Sequence, residues 1–269
     1  MYRGYDLRFL KEGYFDSCDL DDDIYNTGLV SFKDHKTKIK EPLNKFALRS
    51  GILDGTAIQE NWFPKMKYDV FISHSHSDVE TAIMLSGVLK NYPGLTSFID
   101  TCVWGYSGDL QRQIDNMHYK IGDNLYSYEG VKFSASHVHM MLSTALMMMI
   151  DNCECIFFLD TPNSVSTNNV ITKRTQSPWI YSEINISRLI EKRLDRQKMN
   201  ERLIKSSAEN FSRELKFEYK LNMSHFIELT EENFITWMDQ AEVRKGKHPL
   251  DFLYGLVPPK TKEPYNGQR

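Results

Sequence analysis

The chain has 269 residues, 41% hydrophobic and 26% charged, a balance expected of a soluble globular protein with one large domain or one domain and an extension. A net charge of -3 and a pI near 6.3 supply no basic field, so no nucleic-acid partner is expected.

Cys18, Cys102, Cys153 and Cys155 make no metal-type CxxC pair, and no signal peptide is recognisable, which points to a reduced, cytoplasmic setting. The most apolar stretch, "HMMLSTALMMMIDNC", falls short of the roughly 18 apolar residues of a membrane span, so no membrane partner is expected.

Residues 1–66 are rich in aromatic and acidic side chains without sustained periodicity, and read as an N-terminal extension. Asp19, Asp21 and Asp23 stand at calcium-loop spacing. Ile24 and Val30, however, occupy the positions that need glycine and a bidentate glutamate, so a solvated acidic loop is expected. The aromatics of "ENWFPKMKY" should pack this extension on the main domain.

From Tyr68 the pattern sharpens. "YDVFIS" is a short, nearly continuous apolar run of the kind found in strands buried on both faces. Val79, Ala82, Leu85, Ser86 and Leu89 follow at helical spacing, and "LTSFID" reads as a second strand. A helix is expected from about His137 to Asp151, with Val138, Met141, Leu142, Ala145, Met148 and Met149 on its core stripe. "CIFFL" is a third buried strand, and a helix opens near Ser177 with Pro178 at the favoured first position. "FIEL" and "EENFITWM" supply a last strand and helix. This alternation predicts an α/β fold, a central parallel sheet with helices on both faces. Its domain would run over 67–245, with long insertions near 105–136 and 161–176, and leave 246–269 as a C-terminal tail.

The stretch "YDVFISHSHSDVE" admits three readings. His74, His76 and Asp78 match the start of an HxHxD metal motif, the basis of an alternative as a metal-dependent hydrolase. Val79 stands where that motif needs a further histidine, so no metal is assigned. "SDVE" reads more strongly as a capping box, with Ser77 capping a helix and Glu80 reaching back. The tight strand-to-helix turn so formed would lie at the carboxyl end of the sheet, where Ser73 and His74 could line a nucleotide site. In the later helix, Glu183 shares a stripe with Trp179, Ile186 and Ile190. It is either an interface-edge carboxylate or a partly desolvated group in a cleft, able to engage ribose hydroxyls and stabilise positive charge at an anomeric carbon.

"YDVFISHSHSD", "TSFIDTCVWG", "CECIFFLDTPNSVS" and "SPWIYSEI", in that order, resemble the core motifs of the Toll/interleukin-1 receptor (TIR) domain. They are most similar to the bacterial TIR proteins of Thoeris-type anti-phage defence. The resemblance is good over 67–194 and looser to about Ala241, and its most specific element is the W-x-x-x-E helix after the third strand. It implies a flavodoxin-like fold and hydrolysis of the nicotinamide–ribose bond of NAD+, which is substrate and not cofactor. The products would be nicotinamide and either ADP-ribose or a cyclic ADP-ribose-type signal read by a separate effector. Glu183 matches the catalytic glutamate, while Ser73, His74, Asp100, Trp104 and Trp179 match substrate-binding positions. Self-association through TIR domains is implied as well. A non-enzymatic TIR adaptor acting by homotypic assembly is the alternative within the family.

Overall fold

The structure, a computed structural model, describes residues 3–10, 14–15, 22–37, 43–46, 52–165, 173–190, 218–243 and 246–258. Strands β1 (Arg3–Asp6), β2 (Val70–Ser73), β3 (Ser97–Ile99), β6 (Cys155–Phe158) and β9 (Phe226–Glu228) form one sheet in the order β3-β2-β6-β1-β9. Every pairing in it is parallel. Such a sheet is covered on both faces, which is why its strands are runs without alternation; β2 and β6 are buried along their whole length.

The helices are α1 (Asp22–Thr37), α2 (Gly55–Trp62), α3 (Val79–Asn91), α4 (Thr101–His118), α5 (Tyr128–Asn152), α6 (Pro178–Leu189), α7 (Glu231–Val243) and α8 (Pro249–Leu256). They flank the sheet in packed groups: α1 with α3, α4 and α6 with α5, and α7 with α8. The hairpin β4 (Lys120–Gly122) and β5 (Leu125–Tyr126) joins α4 to α5, and β7 (Arg174–Thr175) pairs antiparallel with β8 (Tyr219–Lys220) ahead of α6. At the crossing of α1 and α3, Gly28 and Gly87 let the backbones touch. A Cβ on Gly28 would stand 2.0 Å from the Ile83 carbonyl oxygen, and one on Gly87 2.0 Å from that of Ile24.

Several expectations are corrected. Residues 3–6 are no extension laid on the domain: β1 sits inside the sheet between β6 and β9, with Tyr5 fully buried and edge-on to Phe157. The packing of the "ENWFPKMKY" aromatics holds, since Trp62 and Phe63 are buried. Asp19 and Asp21 lie outside the described residues, while Asp23, Ile24 and Val30 belong to α1. The segment 105–136 is no loop but most of α4, the hairpin and the first turns of α5, which opens at Ser127, whose hydroxyl accepts from the Gly130 amide. Of the stripe expected on α5, Met148 faces outward, and Leu146 and Ile150 take core places. At 25 residues α5 is long and apolar enough, by length and composition, to cross a membrane, while Val138, Leu142 and Met149 on it are built into the core. The expected tail contains α8, which buries Leu250 and Leu253 and whose following residue, Val257, offers its carbonyl to the Tyr5 hydroxyl.

Candidate functional site

β2 feeds outward to β3, whereas the chain leaving β6 runs on to β9 at the opposite edge. The carboxyl ends of β2 and β6 therefore flank a topological switch point, the crevice where parallel α/β sheets bind ligands. Ser73 ends β2, Asp100 follows β3, and α6 returns over this edge after β6. The start of α6 is set locally: the Ser177 side chain accepts from the Ile180 amide, and Pro178 sits in the first turn.

That placement carries Glu183, with 0% exposure, onto Ser73, whose Oγ donates to Glu183 Oε2 at 2.5 Å. Glu183 Oε1 is buried, with no hydrogen-bond partner among the described residues. Burial and then the neighbouring charge of Asp100 push the Glu183 carboxyl well above the ordinary carboxylate range, against the bond from Ser73, which favours the ion.

Next to this pair, the buried His74 donates from Nδ1 to Asp100 Oδ1 at 2.8 Å, and its Nε2 lies 2.8 Å from Thr101 Oγ1. Asp100 Oδ1 also accepts from the Thr101 amide at 2.8 Å at the head of α4. Burial works against an imidazolium at His74, but the Asp100 charge and hydrogen bond, the Ile72 carbonyl and Asp78 outweigh it and raise its pKa. The structure thus brings together Ser73, His74, Asp100 and Glu183. Trp179, partly buried, lies one turn before Glu183, its ring edge-on to His139. Trp104 is within α4, but its side chain lies outside the described residues.

The metal reading and the capping box both fail locally. His76 is exposed, His74 is turned to Asp100, and Asp78 accepts from Thr161 Oγ1 at 2.6 Å and from Asn163 Nδ2 at 2.8 Å. Among the described residues no group of three or more His, Cys, Asp or Glu is placed to hold a metal. Asp78 rather than Ser77 stands before α3 and makes no side-chain capping bond, while Glu80 accepts from the Tyr25 hydroxyl of α1.

A second charged cluster escaped the sequence reading. At the carboxyl ends of β1, β6 and β9, Lys173 bridges Asp6 and Asp160, and Arg8 reaches Asp6, Asp160 and Glu228. Burial and the proximity of Asp6 raise the Asp160 pKa, with Lys173 opposing. A signal for part of it exists: "FFLD" and "FIE" each place an acid at the end of an apolar run.

A groove of about 760 Å³ lies between α1, α3 and the start of β3, at the opposite end of the strands. Two of its hydroxyls are spent internally, Thr96 donating to Asp69 and Ser97 to Ser86, so the buried carboxyl crevice is the better candidate. Fold and site define an α/β protein with a desolvated acid at the switch point of a parallel sheet. The chain matches no protein-family model, no curated protein and no solved structure.

Proposed function

We propose that the chain is a TIR-type NAD+ nucleosidase of flavodoxin-like topology. Setting β1 aside, β3, β2, β6 and β9 follow the flavodoxin-like order 2-1-3-5, with β1 in the fourth place. The observation that carries the reading is Glu183: a fully buried acid on α6, one oxygen held by Ser73, one turn past Trp179. As a carboxylate it would stabilise the oxocarbenium-like state formed when nicotinamide leaves the ribose. Water captures that state to give ADP-ribose, or an internal nucleophile closes a cyclic product. Ser73 orients the carboxylate, and Trp179 offers flat apolar surface to the rings of the substrate. The product would act on a separate effector in cytoplasmic anti-phage signalling. Because Glu183 has no exposed surface, the site must open to admit NAD+, and self-association of TIR domains is the proposed trigger.

The full burial of Glu183 also favours a second reading, a non-enzymatic TIR module in which the acid is structural. Incubation with NAD+ and separation of the nucleotides decides between them. The first reading expects nicotinamide release that falls by about 10²–10³ in Glu183→Gln. Absence of release from assembled wild-type protein establishes the second.

A further inference from the structure

We infer that the outer face of α5 is a dimer interface that takes a second copy of this chain, the two helices packing antiparallel about a two-fold axis at Met140. The face is unusual in its chemistry. From Phe133 to Ile150, about five turns of helix, the chain has no Asp, Glu, Lys or Arg, although one side of the helix meets solvent. Phe133, Met140 and Met147 recur every seven residues down the middle of that side and are 59%, 56% and 50% exposed. At the amino end of α5, Tyr128 and the hairpin residues Ile121 and Leu125 add further exposed apolar surface. Together these six side chains present on the order of 700 Å², above the roughly 300–600 Å² of the largest patch on a typical monomer. One partner in a stable interface of standard size gives up about 800 Å², so a second copy fits the area.

The face is also complementary to itself. In an antiparallel pair centred on Met140, Met140 meets its own mate, and Phe133 of each copy meets Met147 of the other, a ring against a thioether. Ser136 then falls opposite Thr144 and His137 opposite Ser143, so small side chains flank the large ones. Covering the face does not strand the Ser136 and Thr144 hydroxyls, which already donate to the Lys132 and Met140 carbonyls at 2.9 and 2.8 Å. Charge stays at the rim, with Glu129 and Lys132 paired at one end and Asp151 at the other. A strongly acidic or basic partner finds no complement between them. A bilayer fits no better. Val138, Leu142, Leu146 and Ile150 hold the other side of α5 in the core, and the face has no Lys or Arg for lipid headgroups.

The interface does not depend on the NAD+ reading, so its test reads mass rather than turnover. Sedimentation of the full chain across micromolar concentrations should show a monomer–dimer equilibrium. Met140→Lys sets two ammonium groups against each other at the axis and should raise the dimer Kd by about 10² or more. Its circular dichroism and thermal midpoint should match wild type, because the side chain is exposed. Met147→Glu, on the same exposed stripe, makes the same test should Met140→Lys fail to fold. Under mild oxidation Met140→Cys should link two copies at position 140. Ser136→Cys should not, since an antiparallel pair holds the two 136 positions about two turns apart. A monomer at every concentration, or a dimer that Met140→Lys leaves intact, overturns the inference. Equal crosslinking at 136 and 140, which a parallel pair would give, overturns the proposed geometry and the self-complementarity with it. Binding to phosphatidylcholine–phosphatidylserine vesicles that Met140→Lys abolishes, with no dimer in solution, assigns the face to a membrane instead.

Discussion

Ser73 and Glu183, 110 residues apart in the chain, meet in a 2.5 Å hydrogen bond between two fully buried side chains. Ser73 closes β2 and Glu183 lies inside α6, so the bond ties the end of a central strand to the helix that crosses over it. It favours the ionised form of Glu183, yet burial and then Asp100 outweigh it and raise the carboxyl's pKa.

That balance fixes a pH dependence of stability. A carboxyl whose pKa is raised on folding stabilises the native state below its unfolded value, here 4.5, and loses that contribution as pH rises through the folded value. Glu183→Gln keeps the shape and removes the titration. The variant should therefore gain on wild type as pH rises from about 4.5, with the gap levelling once Glu183 is ionised in the folded state. Thermal unfolding of both proteins from mildly acid through alkaline buffers measures this, and a gap independent of pH over that whole range refutes it.

Lys173 lies between Asp6 and Asp160 with its side chain 26% exposed. Lys173→Met leaves the two acids facing each other with Arg8 as their remaining cation. The expected loss is about 2 kcal/mol, below the roughly 3–5 of a fully sealed pair because of that exposure and of Arg8. Protonation of Asp160, whose pKa is already raised, relieves the repulsion, so the loss should shrink in mildly acid buffer. Urea unfolding at two pH values checks both statements.

Gly87 is a matter of space alone. An alanine methyl there would fall 2.0 Å from the Ile24 carbonyl oxygen, a backbone atom that moves only if α1 moves. Gly87→Ala should cost about 1–3 kcal/mol or more, the range of overpacked interiors, although alanine is the better helix former. An unchanged midpoint in thermal unfolding would show that α1 does not rest on α3.

Activity, if carried by Glu183, should depend on concentration. The described state seals the acid, so the competent state is a minor population that self-association or a trigger must enlarge. Specific NADase activity should rise with protein concentration. A flat profile from a monodisperse monomer would mean that one chain opens its own site.

The features legible in the amino-acid order are local ones. The apolar runs at 70–73, 97–99 and 155–158 read as buried strands because a parallel sheet covered on both faces needs no alternation. The start of α6 was legible because Ser177 and Pro178 are a cap and a first-turn residue, and Glu183 stood out as an acid on an apolar stripe. β1 was not legible: four residues are too few to show a period, and its place between β6 and β9 depends on which strand edges the rest of the sheet leaves unpaired. "SDVE" misled for a related reason, since Glu80 found the Tyr25 hydroxyl of a packed helix instead of its own helix end. The bond between His74 and Asp100, the pairing of Asp6 and Asp160 through Lys173, and the burial of Glu183 against Ser73 were decided by tertiary structure alone. Periodicity reports which face of an element is buried, whereas the charge state of a buried acid depends on partners that only packing selects.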